Sequence, residues 1–526
     1  MENTLRRWLT PGFADLIFVA LISWLFILSP KGWGLLLSDG DTGWHIRTGE
    51  WILANHRVPY TDLFSFSRPG EPWYAWEWGA DVLFALLHGW GGLALLSFFC
   101  GFVLISTSVI TLRWMIWRGA SVIAAFPILL LSIGGSTMHY LARPHVFTLL
   151  FLAVELWLLD AERRAPSRRI WLLVPLTLLW TNLHGGWPAL FVFLGIQIAA
   201  RLVYRDPRWR TEALVGLACA AVTLVNPYGY QLHLHIAGYL QSSWIRDSVD
   251  EFQSPRFRSE NILQYEALLL VGIGAAWGRA FRGMAGLTEA VMVWLWAHLS
   301  LGAVRHAPIY ILAAAPVAAT ELSLLLESAW ANARKSSVAG IFRALDLDLR
   351  PKFASNSVWA LALGLMVCLL SPDKLPHDFP AALFPVEAAS RIAPLLATSR
   401  TFTSDQWGDY LLYKHWPQTR VFIDGRSDFF GPQLGAEYLD MINATALWRK
   451  RLDEHAIDLV LVPASSELRH RLASDAQWQL IHSDRLSVAF RRLAAARAAP
   501  TAAHLFSPAG LMKDPITSEG IKENRQ

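Results

Sequence analysis

Charge is what this chain has least of. Only 17% of its 526 residues are Asp, Glu, Lys or Arg, whereas ordinary soluble domains carry about 25%. A fully water-facing surface is thereby excluded. Cysteine is scarce as well: Cys100, Cys219 and Cys368 all fall in apolar stretches, which rules out a disulfide framework. The formal net charge of +4 is small for the length and gives no reason to expect a nucleic-acid partner. No convincing internal repeat is visible. The first apolar run, Phe13 to Leu37, lacks a small-residue cleavage pattern behind it and reads as a retained helix.

Apolar residues make up 54% of the chain, and it contains 26 Trp, mostly near predicted helix ends, where amphipathic rings favour a membrane interface. Repeated apolar runs between Arg-rich turns predict a polytopic α-helical membrane protein with about eleven transmembrane helices. The expected crossings are 14–36, 90–112, 120–138, 146–160, 170–182, 187–203, 211–225, 262–279, 286–302, 306–327 and 354–370. Several are shorter than the roughly 20 residues that a straight span needs. Basic residues fall in alternate loops: Arg6 and Arg7; Arg113 and Arg118; Arg163, Arg164, Arg168 and Arg169; Arg201, Arg205, Arg208 and Arg210; Arg279 and Arg282; and Arg334, Lys335 and Arg343. The positive-inside tendency puts these in the cytoplasm, with the first loop (37–92) and the C-terminal third outside. Trp76 to Gly92 reads as a helix along the outer surface.

Residues 1–370 thus form a membrane domain. Residues 371–498 change texture. "TFTSDQWGDYLLYKHWPQTRVFIDGRSDFF" reads strand, helix, strand and turn; "LDEHAIDLVLVPA" ends a helix and adds a strand; "QWQLIHSDRLSVAFRR" reads as a closing strand pair. This predicts a C-terminal extracytoplasmic α/β domain. Residues 499–526, rich in Ala, Pro and polar groups, read as a disordered tail.

The outer loops carry the chemistry. They contain "DGDTGWHIRTGEW", "HYLARPH", "TNLHGGW", "NPYGYQLHLH", "SVDEFQSPRF" and "GAVRHAP", and half of the 16 His lie in them or at adjoining helix ends. Ionisable groups near membrane depth are costly and mark function. Asp39 and Asp41 flank Gly40; they could hold Mg²⁺ or Mn²⁺, which prefer oxygen ligands, or take a proton from an attacking hydroxyl. The plain alternative is an acidic turn with Asp41 as a helix N-cap. His45 and Arg47 on the following surface helix could meet an anion or simply be solvated. Glu77 is a further carboxylate candidate, or an ion-pair partner. Arg143 and His145 in "ARPH", and Arg305 and His306 in "VRHAP", lie beside prolines, where Arg could grip a lipid phosphate or anchor to headgroups. Asn182, His184 and Asn226 are candidate substrate hydrogen bonders; the asparagines could equally tie helices together. In the C-terminal domain, Asp424, Arg426 and Asp428 form "DGRSD" at a strand end, which favours an acceptor-side or domain-docking role.

The first outer loop, "DGDTGWHIRTGEWILANHRVPYTDLFSF", followed by "PWYAWEWGADVLFALLHGWGG", resembles that of the GT-C membrane glycosyltransferases, the class of the protein O-mannosyltransferases and aminoarabinose transferases. Through about residue 370 the resemblance is one of architecture. It implies transfer of a sugar from a polyprenyl-phosphate donor to a periplasmic glycan, lipid or protein, with Asp41 or Asp39 at the catalytic centre. It also implies a multi-pass protein of a bacterial inner membrane, using Mg²⁺ or Mn²⁺ in some members and no organic cofactor. The chain departs from the familiar subfamilies: it lacks an acidic pair in the second outer loop and the "KPP" stretch of the aminoarabinose transferases. A flippase of lipid-linked sugars and a noncatalytic receptor or assembly protein are the rival readings.

Overall fold

The computed structural model describes residues 10–29, 32–258, 262–353, 359–370 and 374–493. The tail expected at 499–526, the first residues of the crossing expected at 354–370 and the side chain of Cys368 lie outside the described set.

Four helices among the described residues are long and apolar enough to cross a membrane: Trp78–Trp117, Val122–His139, Gly283–Gly302 and Val304–Trp330. Phe13–Leu28 and Pro188–Val203 are apolar but shorter. The crossings expected at 146–160, 170–182, 211–225 and 262–279 are also helical, as His145–Arg164, Leu173–Leu183, Trp209–Val222 and Leu263–Ala280. Leu173–Leu183 and Trp209–Val222 are 11 and 14 residues long, well short of a bilayer core. His145–Arg164 ends in Asp160, Glu162, Arg163 and Arg164.

The segment from Trp78 to the Gly91–Gly92 pair continues into the following helix only through a bend, Gly92 having φ +62°. The part before the bend lies against the Thr42–Asn55 helix, burying Asp81 and Phe84. The bend separates this segment from the long apolar run after it.

Basic residues read above as topological markers also have partners inside the protein. Arg118 binds Asp160 at 3.2 Å and Glu289 at 2.8 Å, with all three side chains buried. Arg279 joins Glu289 at 2.8 Å, and Arg282 reaches Glu321 at 2.8 Å. Such a network holds only because each charge is paired.

The C-terminal domain has a four-stranded sheet, with β1 (Thr401–Thr403), β2 (Leu459–Pro463), β3 (Trp478–Ser483) and β4 (Ser487–Arg492) in the order β1-β2-β4-β3. β1 and β2 are parallel, the other pairs antiparallel. The strand expected around "VFID" is reduced to bridges from Val421 to Ser65 and Thr401. Its backbone pairs with the first loop instead: Phe66 N–H donates to Val421 O at 3.0 Å and Val421 N–H to Phe64 O at 3.1 Å. The first loop and the C-terminal domain therefore share a seam.

Candidate active site

The site begins with a short connector. Pro144 cannot extend the chain before it as helix, so the His145–Arg164 helix starts afresh and Arg143 stays outside it. The connector is tied to the first loop: Ala142 N–H donates to Leu36 O at 2.7 Å, and Thr42 Oγ1 donates to Ala142 O at 2.8 Å. Arg143 is thereby brought to the aspartates. Its Nη1 lies 2.9 Å from both Asp39 Oδ2 and Glu251 Oε1, and its Nη2 lies 2.7 Å from Asp41 Oδ2. Arg143 is the hub of three carboxylates.

The two aspartates differ in depth. Asp41 is buried behind Asp39, and its N–H donates to Asp39 Oδ1 at 2.9 Å; it caps no helical N–H with its side chain. Burial drives its carboxyl well above the usual range against the pull of Arg143, with Asp39 and Glu251 adding to the rise. Its second oxygen, Oδ1, and Asp409 Oδ2 have no other hydrogen-bond partner. Both oxygens border Gly425, whose N–H donates to Asp409 Oδ1 at 2.9 Å. Burial and then Asp41 also push Asp409 well up. Burial would raise Glu251 too, but Arg143 and Arg305 outweigh it and hold it at about 2. Glu251 is the ionised member of the group.

A second row lies beside the first. His45 Nδ1 is 2.6 Å from Asp81 Oδ1, and its Nε2 is 3.5 Å from Glu77 Oε2. Glu77 Oε1 is 3.3 Å from His184 Nε2, whose Nδ1 is 2.7 Å from Thr148 Oγ1. Burial, opposed by Arg143, raises Glu77 to about 8. Burial lowers His45 and His184, with Arg143 adding to the effect at both. These imidazoles are neutral at pH 7, which leaves Arg143 and Arg305 as the fixed cations here. His145 Nε2 lies 2.6 Å from His139 O. Arg305 donates to Tyr239 Oη at 3.0 Å, and its guanidinium lies 4.3 Å from the Phe252 ring centre. His306, beside it, is 3.2 Å from Leu299 O.

Other expected residues turn away from this group. Asn182 accepts from Trp78 Nε1 and donates to Leu178 O and Val225 O, each at 2.9 Å. Asn226 spends its amide inside its own turn, on Thr223 O, Gly229 O and Tyr228 N–H. These two asparagines tie helices and loops together. Arg47 pairs with Glu50 at 2.6 Å and donates to Tyr413 O, joining the C-terminal domain rather than a ligand. Arg426 is buried at that same seam, 2.7 Å from Asp62 and 2.6 Å from Asp424. Rings of Phe64, Trp73, Phe429 and Phe430 surround its guanidinium. Asp428 departs from its neighbours: it reaches His235 Nε2 at 3.1 Å, beside Trp76.

Sequence reasoning missed Glu251, Asp81, Asp409 and His235. Glu251 lies in the loop "SVDEFQSPRF" next to Asp250, whose side chain is 92% exposed, and nothing in the sequence separates the two. Asp409 sits in the Asp405–His415 helix of the other domain and carries no local signal.

Asp39 and Asp41 do not suit a divalent ion as they stand. The Arg143 guanidinium binds both carboxylates, and no group of three or more His, Cys, Asp or Glu among the described residues is arranged to hold an ion.

A helical membrane domain with an acidic first loop, closed at one end by a small α/β domain, is the GT-C architecture, and the chain has that fold. Among solved structures it is similar to the oligosaccharyltransferase AglB of Archaeoglobus fulgidus in complex with an inhibitory peptide and a dolichol-phosphate. That match has a TM-score of 0.57 at 10% identity, over 86% of this chain and 69% of the other. A structure of the A. fulgidus oligosaccharyltransferase in complex with Zn and sulfate matches at 0.54 and 11%, over 86% and 68%. ArnT from Cupriavidus metallidurans, bound to undecaprenyl phosphate, matches at 0.49 and 13%, over 92% and 99%. No family model and no curated protein matches the chain.

Proposed function

We propose that the protein transfers a sugar from a polyprenyl-phosphate donor to an acceptor at the outer face of a bacterial inner membrane. The observation that carries this is one polar group with two separable halves. Arg305 has guanidinium donors beyond its bond to Tyr239, and Glu251, Asp39 and Arg143 form a carboxylate-rich wall.

Arg305 binds the lipid phosphate with charge-assisted hydrogen bonds. The acceptor hydroxyl approaches Glu251, whose ionised carboxylate orients it and takes its proton as the oxygen bonds to the sugar C1. The C1–O bond to the phosphate breaks on the opposite face, its electron pair leaves with the phosphate, and the configuration inverts. Arg305 offsets the charge that appears there, as a fixed cation at a leaving group does. Asp39 and Asp41 hold Arg143, which holds Glu251.

The test is release of free polyprenyl phosphate by the purified protein from a panel of polyprenyl-phosphate sugars, with candidate acceptors present. Glu251→Gln and Asp41→Asn are each expected to slow release by about 100-fold or more. Full release in both variants sinks these assignments. Movement of intact donor across vesicles without release supports the flippase reading instead.

A further inference from the structure

Carboxylate oxygens drawn from separate segments onto one centre are the donor type that a hard divalent cation takes. Here Asp39 and Asp41 come from the first loop and Glu251 from a segment more than two hundred positions later in the chain. Their shared centre is the Arg143 side chain, at 2.9, 2.7 and 2.9 Å respectively. The backbone beside Arg143 is fixed to the same loop by the Ala142 bonds to Leu36 and Thr42, and Pro144 fixes its other side. The guanidinium is therefore a built-in centre rather than a loose surface side chain.

We infer that Arg143, by binding Asp39, Asp41 and Glu251 together, takes these carboxylates out of use for a divalent cation, so that this site uses a tethered cation in place of a bound metal. The substitution has physical consequences. A guanidinium brings one positive charge rather than two. Its donors are planar and directional, which fixes the carboxylates in orientation as well as position. It also cannot be lost to a chelator. Arg143 is thus a positioning residue: it holds Glu251 for the acceptor and needs no contact with the sugar. The inference rests on the proposed transfer reaction for the purpose of the cage, but its test does not depend on turnover.

The full chain, purified in detergent and stripped with a chelator, is titrated with Mn²⁺, and the free-ion signal is read by electron paramagnetic resonance. Wild-type protein is expected to take up no stoichiometric Mn²⁺ up to ~1 mM, about the weak end of oxygen-ligand sites. Arg143→Ala is expected to gain one equivalent of Mn²⁺ at least tenfold more tightly, and adding Asp39→Asn removes the gain. Stoichiometric binding by the wild type that disappears in Asp39→Asn overturns the inference. So does a folded Arg143→Ala protein, verified by its thermal transition, that binds no ion. Should Arg143→Ala not survive purification, Arg143→Gln, which keeps the bulk and removes the charge, is titrated in its place and read by the same outcomes. Failure of sugar transfer alone leaves all these readings unchanged.

Discussion

At the scale of single residues, burial sorts carboxyls that look alike in sequence. Glu77 and Glu251 are both glutamates in polar loops, yet burial raises one to about 8 while Arg143 and Arg305 overcome burial and hold the other at about 2. For Glu77 the folded value lies above its ordinary 4.5, so the folded protein binds that proton more tightly than the unfolded chain. Its contribution to stability is present below about 4.5 and is lost as pH rises through about 8. The thermal midpoint of the wild type is expected to fall across that window, and Glu77→Gln should flatten the slope. An unchanged slope in Glu77→Gln means that the carboxyl is ionised in the folded protein throughout.

At the scale of elements, the bend at Gly91–Gly92 joins two helices that serve different purposes. Nothing lies within 4 Å of a Cβ added at Gly92, but its φ of +62° is one that L side chains rarely adopt. Gly92→Ala is therefore a test of backbone strain alone and should cost about 1–3 kcal/mol, read as a lowered thermal midpoint. Gly89, in the same helix, also has open space around its Cβ position and lies outside the left-handed region. Gly89→Ala should leave the midpoint unchanged or raise it, since Ala is the better helix former. Equal effects at both positions sink the strain argument. Element boundaries are only partly legible in the sequence: the apolar run marks a helix, whereas "VFID" does not form the strand its composition suggests. That segment has strand composition, and only the neighbouring first loop determines that its pairing is cut to bridges.

For the whole molecule, the seam between the first loop and the C-terminal domain governs the site. A Cβ on Gly425 would collide with Asp41 Oδ1, so the close approach of the two domains depends on a glycine beside the aspartate. Arg426 lies in the same seam, held by Asp62 and Asp424. Arg426→Ala leaves two buried carboxylates uncompensated and is expected to cost about 3–5 kcal/mol. Limited proteolysis should then cut more readily within 374–400. Replacing all three together, as Arg426→Met with Asp62→Asn and Asp424→Asn, should recover much of the loss, because the buried charges are then gone. Unaltered proteolysis in Arg426→Ala means that the backbone pairing of Phe64 and Phe66 with Val421 holds the seam without the ion group.

The sequence alone determined that this is a helical membrane protein, because scarce charge and repeated apolar runs leave few other ways to satisfy the chain. It also pointed to Asp39, Asp41, Glu77, Arg143 and Arg305, since ionisable groups stand out against an apolar background. The partners of those residues were decided by tertiary structure. Glu251 meets Arg143 across 108 positions and Asp409 borders Asp41 across the domain seam, whereas Asn182 ties its helix to Trp78 and Val225 and Asn226 turns into its own loop. A residue's type limits the chemistry it can perform; its charge state and its use are set by which groups the folded chain places within a few ångströms.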